Sequence, residues 1–315
     1  MKVLFAAPED AWGGIFARYQ AALPEFEWQA LGHYDLTRLT GVDVLIPTMS
    51  PVPAEVLTTA DRLQLIQQMG AGLEGVDIDA AKARGVAVAN VPTDISGNAD
   101  SVAELAIYQM LALIRQARHI PQLMQQRQLG QPLGGTLKGA TIGLIGVGGI
   151  GQALARRLRA FEATLVGVKR HQDAALAETL GMAWCDEMSR LDELLAVSDF
   201  VVMSLPDVAE THHLMNAQTL AKMKPGSYLI NVGRGGLVEP EALLQALRHG
   251  PLAGAGLDVF WEEPPDPEHP LFQENIVATP HIGGVTQLSI NGIFAAVCDN
   301  LRRLQQGDKV LNRWC

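Results

Sequence analysis

Cysteine is scarce. Cys185, Cys298 and Cys315 are the only three in 315 residues, far apart and without a C-x-x-C pair, which excludes a disulfide framework and points to a reducing compartment, read here as the cytoplasm. Basic side chains are also in the minority, 24 against 34 acidic ones, and a formal net charge of -10 argues against nucleic acid or an anionic membrane as the partner. A small molecule is expected instead. Long apolar runs are missing too: the best candidate, residues 140–155, is interrupted by five glycines and Gln152, so no membrane-spanning helix is expected. The opening run Val3-Leu4-Phe5-Ala6-Ala7 stops at Pro8 with two acids behind it, too short for a signal peptide and suited to a first buried strand. No internal repeat is present. His212 and His213 stand beside Glu210 without metal-ligand spacing and read as loop residues, so no metal site is expected.

What is abundant is apolar residues, 48% of the chain, enough for two domains with proper cores. Short apolar runs (Val3-Ala7, Val42-Ile46, Leu63-Gln68, Val86-Asn90, Thr141-Ile145, Thr164-Val168, Phe200-Ser204, Tyr228-Val232, Gly254-Val259, Ile276-Thr279) alternate with longer helical patterns. That order implies parallel sheets built from crossover units, and ten strands exceed what one sheet usually holds, so two open α/β units are expected. Val102, Leu105, Ala106, Met110 and Leu113 share one face of a helix predicted over 100–120, long enough to join two domains. Residues 125–138 read as a loop or arm, and Leu288, Ile293, Val297, Leu301 and Leu304 predict a last helix over 287–306. Met49 and Met69 flank strands and are expected in the core.

After the strand Thr141-Ile145 comes Gly146-Val147-Gly148-Gly149-Ile150-Gly151, then an amphipathic helix predicted over 152–161. With 31 glycines in the chain a G-x-G-x-x-G match arises easily by chance, so the flanking strand and helix carry the reading. Gly146 permits the tight turn, Gly148 lets backbone approach a pyrophosphate, and Gly151 allows helix and strand to pack closely; N–H groups at the helix start, Gly149 and Ile150 among them, face the negative charge. Where an acid would hold the ribose of NAD, the next strand ends Val168-Lys169-Arg170-His171. Two cations there suit the 2′-phosphate of NADP(H), which is expected as the preferred cofactor, with NAD(H) also accepted.

Three islands follow, each just after a predicted strand: Asn231-Val232-Gly233-Arg234-Gly235-Gly236, then Leu257-Asp258-Val259-Phe260 with Glu262-Glu263-Pro264, then Thr279-Pro280-His281-Ile282-Gly283. They supply a guanidinium, a carboxylate and an imidazole. Singly, such an arginine is most often a surface charge and such a histidine a hydrated loop residue; together and in order they compose a site. With these islands, and with Ser101-Val102-Ala103-Glu104 opening the long helix, the sequence resembles the D-isomer specific 2-hydroxyacid dehydrogenases over nearly its whole length. The resemblance implies a Rossmann nucleotide domain, residues 99–284, inserted into a flavodoxin-like substrate domain, residues 1–98 and 285–315, both doubly wound parallel sheets, and a homodimer formed through the nucleotide domain.

It also implies roles. His281 would be the proton donor, Glu263 (rather than Glu262) its carboxylate partner, and Arg234 the fork for the substrate carboxylate and carbonyl. Asp258 would contact the nicotinamide amide or its ribose, Val232, Leu205 and Pro206 would wall the cofactor, and backbone N–H groups of Gly70-Ala71-Gly72 would bind the substrate carboxylate. The expected substrate is a small, unphosphorylated 2-keto acid such as glyoxylate or hydroxypyruvate, because Pro47-Thr48-Met49-Ser50-Pro51, which continues the strand candidate Val42-Ile46, carries no cation for a distal phosphate. The alternatives are a D-3-phosphoglycerate dehydrogenase, expected to carry a regulatory domain for which a chain ending at Cys315 has no room, and a dinucleotide-sensing corepressor.

Overall fold

The computed structural model describes all residues, 1–315, and divides them into two compact units, Met1–Asn98 with Val285–Cys315, and Ala99–Gly284. The first unit holds β1 (Lys2–Phe5), β2 (Glu27–Ala30), β3 (Val44–Ile46), β4 (Leu65–Gln67) and β5 (Ala87–Ala89) in the order β2-β1-β3-β4-β5, all parallel. Alternation along each strand sends side chains to opposite faces. Val3, Phe5, Val44 and Ile46 pack with Ile15, Tyr19 and, from the helix Gln287–Gln306, Ile293, Val297 and Leu301. Leu4, Leu45 and Ile66 pack on the other face with Leu57 and Val76. Because both faces are covered, the strands read as unbroken apolar runs rather than alternating ones.

The second unit holds β6 (Thr141–Ile145), β7 (Thr164–Lys169), β8 (Trp184–Glu187), β9 (Phe200–Met203), β10 (Ser227–Asn231), β11 (Leu252–Leu257) and β12 (Ile276–Ala278) in the order β12-β11-β10-β9-β6-β7-β8. This is the doubly wound order of a dinucleotide-binding sheet with one strand added. The order reverses between β6 and β9, so the crevice at that switch point opens beside the turn after β6 and the loop after β9. The expected pair of parallel α/β units is therefore present.

Twelve strands stand where ten were expected. The two extra ones, β2 and β8, are edge strands that read Glu-Trp-Gln-Ala and Trp-Cys-Asp-Glu; half-exposed edges tolerate polar residues and so lack the apolar run that marks a central strand. The helix expected over 100–120 runs Asn98–Ile114 and stops because Gln116 takes a left-handed φ of 51°. A short helix, Ile120–Gln125, precedes the loop expected at 125–138. Met69 is in the core as expected, whereas Met49, in the loop beyond β3, is 46% exposed and so lies outside it. No helix is long and apolar enough to cross a membrane.

Candidate active site

The glycine turn begins at Gly146, whose φ of +94° only glycine adopts readily, and its carbonyl accepts from Ser204 Oγ at 2.9 Å. The helix starts at Gly149, three residues earlier than expected, with Gly148 as its N-cap. Gly149, Ile150 and Gly151 thus form its first turn, whose N–H groups have no partner inside the helix. A Cβ on Gly151 would lie 2.3 Å from the Gly146 carbonyl oxygen, so that glycine closes the turn; a Cβ on Gly148 would meet nothing within 4 Å and would occupy open space ahead of the N–H groups. A pyrophosphate needs that combination of open approach and unpaired donors, and the residues present fit a dinucleotide.

The loop beyond β9 lies against this turn. Leu205, beyond β9, reaches both neighbours: its Cδ2 would be 2.8 Å from a Cβ on Gly146, and its carbonyl oxygen 2.8 Å from one on Gly233. Pro206 follows it, and Val232 is buried at the end of β10. Lys169 ends β7, but its ammonium is spent on Asp173 Oδ2 at 2.9 Å, and Asp173 also caps the helix Ala174–Leu180 through the Leu176 N–H. Arg170, next in the chain, is exposed and makes no ion pair. His212 pairs with Asp207 at 3.0 Å and stacks on His213; its partner is not the neighbouring Glu210.

Beyond β10, β11 and β12 the three polar islands come together. His281 Nδ1 lies 2.7 Å from Glu263 Oε2, and the other Glu263 oxygen accepts from the Phe260 N–H at 3.0 Å. Geometry thus selects Glu263 over Glu262 as the partner of the ring. Burial raises the affinity of the Glu263 carboxyl for its proton, but the hydrogen bond and charge of His281, the Phe260 N–H and the charge of Arg234 outweigh it and hold the group below its ordinary range. Arg234 Nη1 donates to the Gly233 carbonyl at 2.8 Å, which anchors one nitrogen of its guanidinium. Gly235 packs so tightly on the Phe260–Trp261 backbone that the arginine loop and the glutamate loop are one mechanical piece.

His281 itself has a left-handed φ of 53°, a costly conformation for a residue with a Cβ, and its N–H donates to the Asp258 carbonyl at 2.8 Å. Asp258, 3% exposed, does more than sequence reading foresaw. Its Oδ1 accepts from Thr279 Oγ1 (2.7 Å) and the Ile282 N–H (2.9 Å), and its Oδ2 from the Gly283 N–H (2.8 Å). Burial pushes this carboxyl above its ordinary range, against the pull of those donors and of His281. No spacing rule announces a carboxylate that builds a turn more than twenty residues away.

In the first unit Gly70, Ala71 and Gly72 follow β4. The Gly70 carbonyl accepts from the Val91 N–H and the Ala71 carbonyl from Asn90 Nδ2 at 2.7 Å, while the three N–H groups make no bond within the chain. Two of the three carbonyls are thus tied back while the N–H donors are left over, an arrangement that is open to an anion.

A family model described as the D-isomer specific 2-hydroxyacid dehydrogenase, NAD binding domain, matches residues 107–283. Over 311 residues the chain is 34% identical to a glyoxylate reductase of Thermococcus onnurineus, covering 96% of this chain and 91% of that one. It is 39% identical over 273 residues to a D-3-phosphoglycerate dehydrogenase of Mycobacterium bovis, covering 85% of this chain but 50% of the relative. Among solved structures, an NADPH-dependent glyoxylate/hydroxypyruvate reductase from Sinorhizobium meliloti, in complex with NADP and malonate, superposes with a TM-score of 0.85 at 30% identity, over 99% of this chain and 96% of that one. With the dinucleotide turn at the switch point and the arginine, glutamate and histidine loops in place, the chain belongs to the D-isomer specific 2-hydroxyacid dehydrogenases, oxidoreductases that use a nicotinamide dinucleotide.

Proposed function

We propose that this enzyme reduces a small, unphosphorylated 2-keto acid of the glyoxylate or hydroxypyruvate type to its D-2-hydroxy acid, with NADPH preferred over NADH. The bound reduced nicotinamide supplies the hydride. The chain supplies the rest. Arg234 holds the substrate carboxylate and adjacent carbonyl, and in the first unit the N–H donors of Gly70, Ala71 and Gly72 have a substrate-binding role. His281 delivers a proton to the carbonyl oxygen from Nε2, because its Nδ1 is engaged by Glu263. Glu263, kept ionised by the contacts that lower its proton affinity, accepts the Nδ1–H throughout, and the ring, 29% exposed, recovers its Nε2 proton from solvent.

The observation that carries the substrate class is where the arginines of the first unit go. Nothing cationic stands in Pro47–Pro51 or Gly70–Gly72. Arg62 forks onto Asp43, at the opposite end of β3 from that loop; Arg38 donates to Thr40 Oγ1 at 2.7 Å; Arg18 donates to Asn291 Oδ1 at 2.8 Å and covers the Phe294 ring. Thr48 and Ser50 turn their hydroxyls back to the Ala6 carbonyl. A dianionic phosphate bound there would lack a counter-charge, at a cost of several kcal/mol. The 39% identity to a phosphoglycerate dehydrogenase favours the phosphorylated alternative, so kcat/KM for hydroxypyruvate and phosphohydroxypyruvate decides between them. A preference for the phosphorylated compound overturns the proposal.

The NADPH preference is supported by Arg170 alone, since Lys169 is already neutralised by Asp173. A homodimer through the second unit is supported by Tyr108, Ile120, Met124, Leu129 and Leu133, all exposed, the last two above 90%. Light scattering of the native protein tests it. A cytoplasmic site is supported by three cysteines that are all free thiols.

A further inference from the structure

The helix Asn98–Ile114 presents Val102, Ala106, Met110 and Leu113 to the core of the second unit, and among them stands one polar residue, Gln109, fully buried. Its side chain crosses β11 at Gly256, where a Cβ would lie 2.8 Å from Gln109 Cβ and 3.0 Å from Oε1, so only a glycine lets it pass. At the far side Nε2 donates to Thr279 Oγ1 at 3.1 Å, while Oε1 finds no hydrogen-bond partner. An apolar side chain would fill the same space without stranding a buried carbonyl. What the amide adds is one donor, aimed at one hydroxyl.

That donor has a directional consequence. It occupies a lone pair of Thr279 Oγ1, so the hydroxyl proton goes to Asp258 Oδ1, 2.7 Å away. Asp258 then fastens the turn on both sides of His281: Thr279 before it, the Ile282 and Gly283 N–H groups after it, and its own carbonyl on the His281 N–H. Gly283 lies so close that a Cβ there would be 2.8 Å from Asp258 Oδ2. The left-handed φ of His281 persists only under such restraint, and it is what brings Nδ1 to Glu263.

We infer that Gln109 is a positioning residue for the reaction: through Thr279 it orients the hydroxyl onto Asp258 and so holds the turn that presents His281 to Glu263. The inference rests on His281 as proton donor. Its test uses the enzyme with NADPH and glyoxylate, in the variants Gln109→Met, Thr279→Val, the pair together, and Thr279→Ser. Gln109→Met relieves an unpaired carbonyl, so its Tm equals or exceeds that of wild type, yet kcat falls about fivefold, the worth of one neutral hydrogen bond. KM for NADPH changes by less than about twofold. Thr279→Val falls at least as far, Thr279→Ser restores kcat, and the double variant is no slower than Thr279→Val, because the amide acts only through the hydroxyl. Multiplicative losses in the double variant overturn the inference, as does a lower Tm with kcat intact in Gln109→Met. His281→Asn is measured alongside: if it keeps its kcat, the proton-donor reading fails; if it loses kcat while Gln109→Met does not, only the positioning role fails.

Discussion

Replacing Gly235 by alanine should lower kcat about a hundredfold without touching the nucleotide turn. The residue follows Arg234 and opens the 3-10 turn Gly235–Leu237. A Cβ there would lie 1.9 Å from the Phe260 carbonyl oxygen, 2.0 Å from its carbon and 2.5 Å from the Trp261 nitrogen. All three are backbone atoms, so no rotamer change relieves the clash. Real Cβ contacts essentially never fall below 3.0 Å, so the arginine loop and the glutamate loop must part by about 1 Å. The displaced segment carries the Phe260 N–H that holds Glu263 Oε1, and the other moves Arg234; a misplacement of about 1 Å between such groups is worth about two orders of magnitude in rate. Steady-state kcat with glyoxylate and NADPH, with cofactor affinity by nucleotide fluorescence and Tm by calorimetry, separates this from unfolding, for which overpacking costs about 1–3 kcal/mol. Gly236→Ala is the contrast: its Cβ would meet Asp207 Oδ2 at 2.0 Å, a side-chain end that can rotate away, so its loss should stay within about tenfold. A folded Gly235→Ala enzyme with the kcat of wild type would refute the reasoning.

In Glu263→Gln the pH optimum for reduction should move to lower pH, since a neutral amide no longer favours the charged ring; an unchanged profile would reassign the partner. The same variant tests the sign in stability: a carboxyl depressed below 4.5 by folding contributes stability that is complete above that pH and lost below it, so Tm of wild type should fall more steeply on acidification than Tm of the variant. Asp258, displaced in the opposite direction, is common to both proteins and drops out of the comparison. Arg170→Ala should lower kcat/KM for NADPH with little change for NADH, whereas Lys169→Ala should have the smaller effect because Asp173 already neutralises that charge; wild type preferring NADH would sink the cofactor argument. Gly148→Ala, with open space around its Cβ, should keep Tm and lose NADPH affinity, while Gly151→Ala, 2.3 Å from the Gly146 carbonyl, should lose both; equal Tm losses would mean the turn has been misread.

Much of the second unit is legible without coordinates, and the reason is locality. The strand Thr141–Ile145, the turn Gly146–Gly151 and the helix after it lie within eighteen residues, and each is marked by side chains whose effect is on their own backbone. Central strands are marked equally well, because burial on both faces demands apolar residues at every position. Edge strands β2 and β8 escaped because a strand with one free side can be written in polar residues, and the end of the long helix escaped because the left-handed Gln116 is not a residue type that announces itself.

The polar partners are another matter. Lys169 and Arg170 look alike in sequence, yet only one keeps its charge unpaired, because Asp173, the N-cap of the helix that follows, reaches the Lys169 ammonium. Arg18, Arg38 and Arg62 could each have served a phosphate until Asn291, Thr40 and Asp43 were seen to hold them. Gln109 was legible as part of a helix, but not as a donor to Thr279, 170 residues further on. Apolar pattern and glycine placement are short-range properties that sequence alone determines; which buried donor meets which acceptor depends on strand order, and β11 and β12 had to be laid beside that helix before Gln109, Thr279, Asp258 and His281 became neighbours.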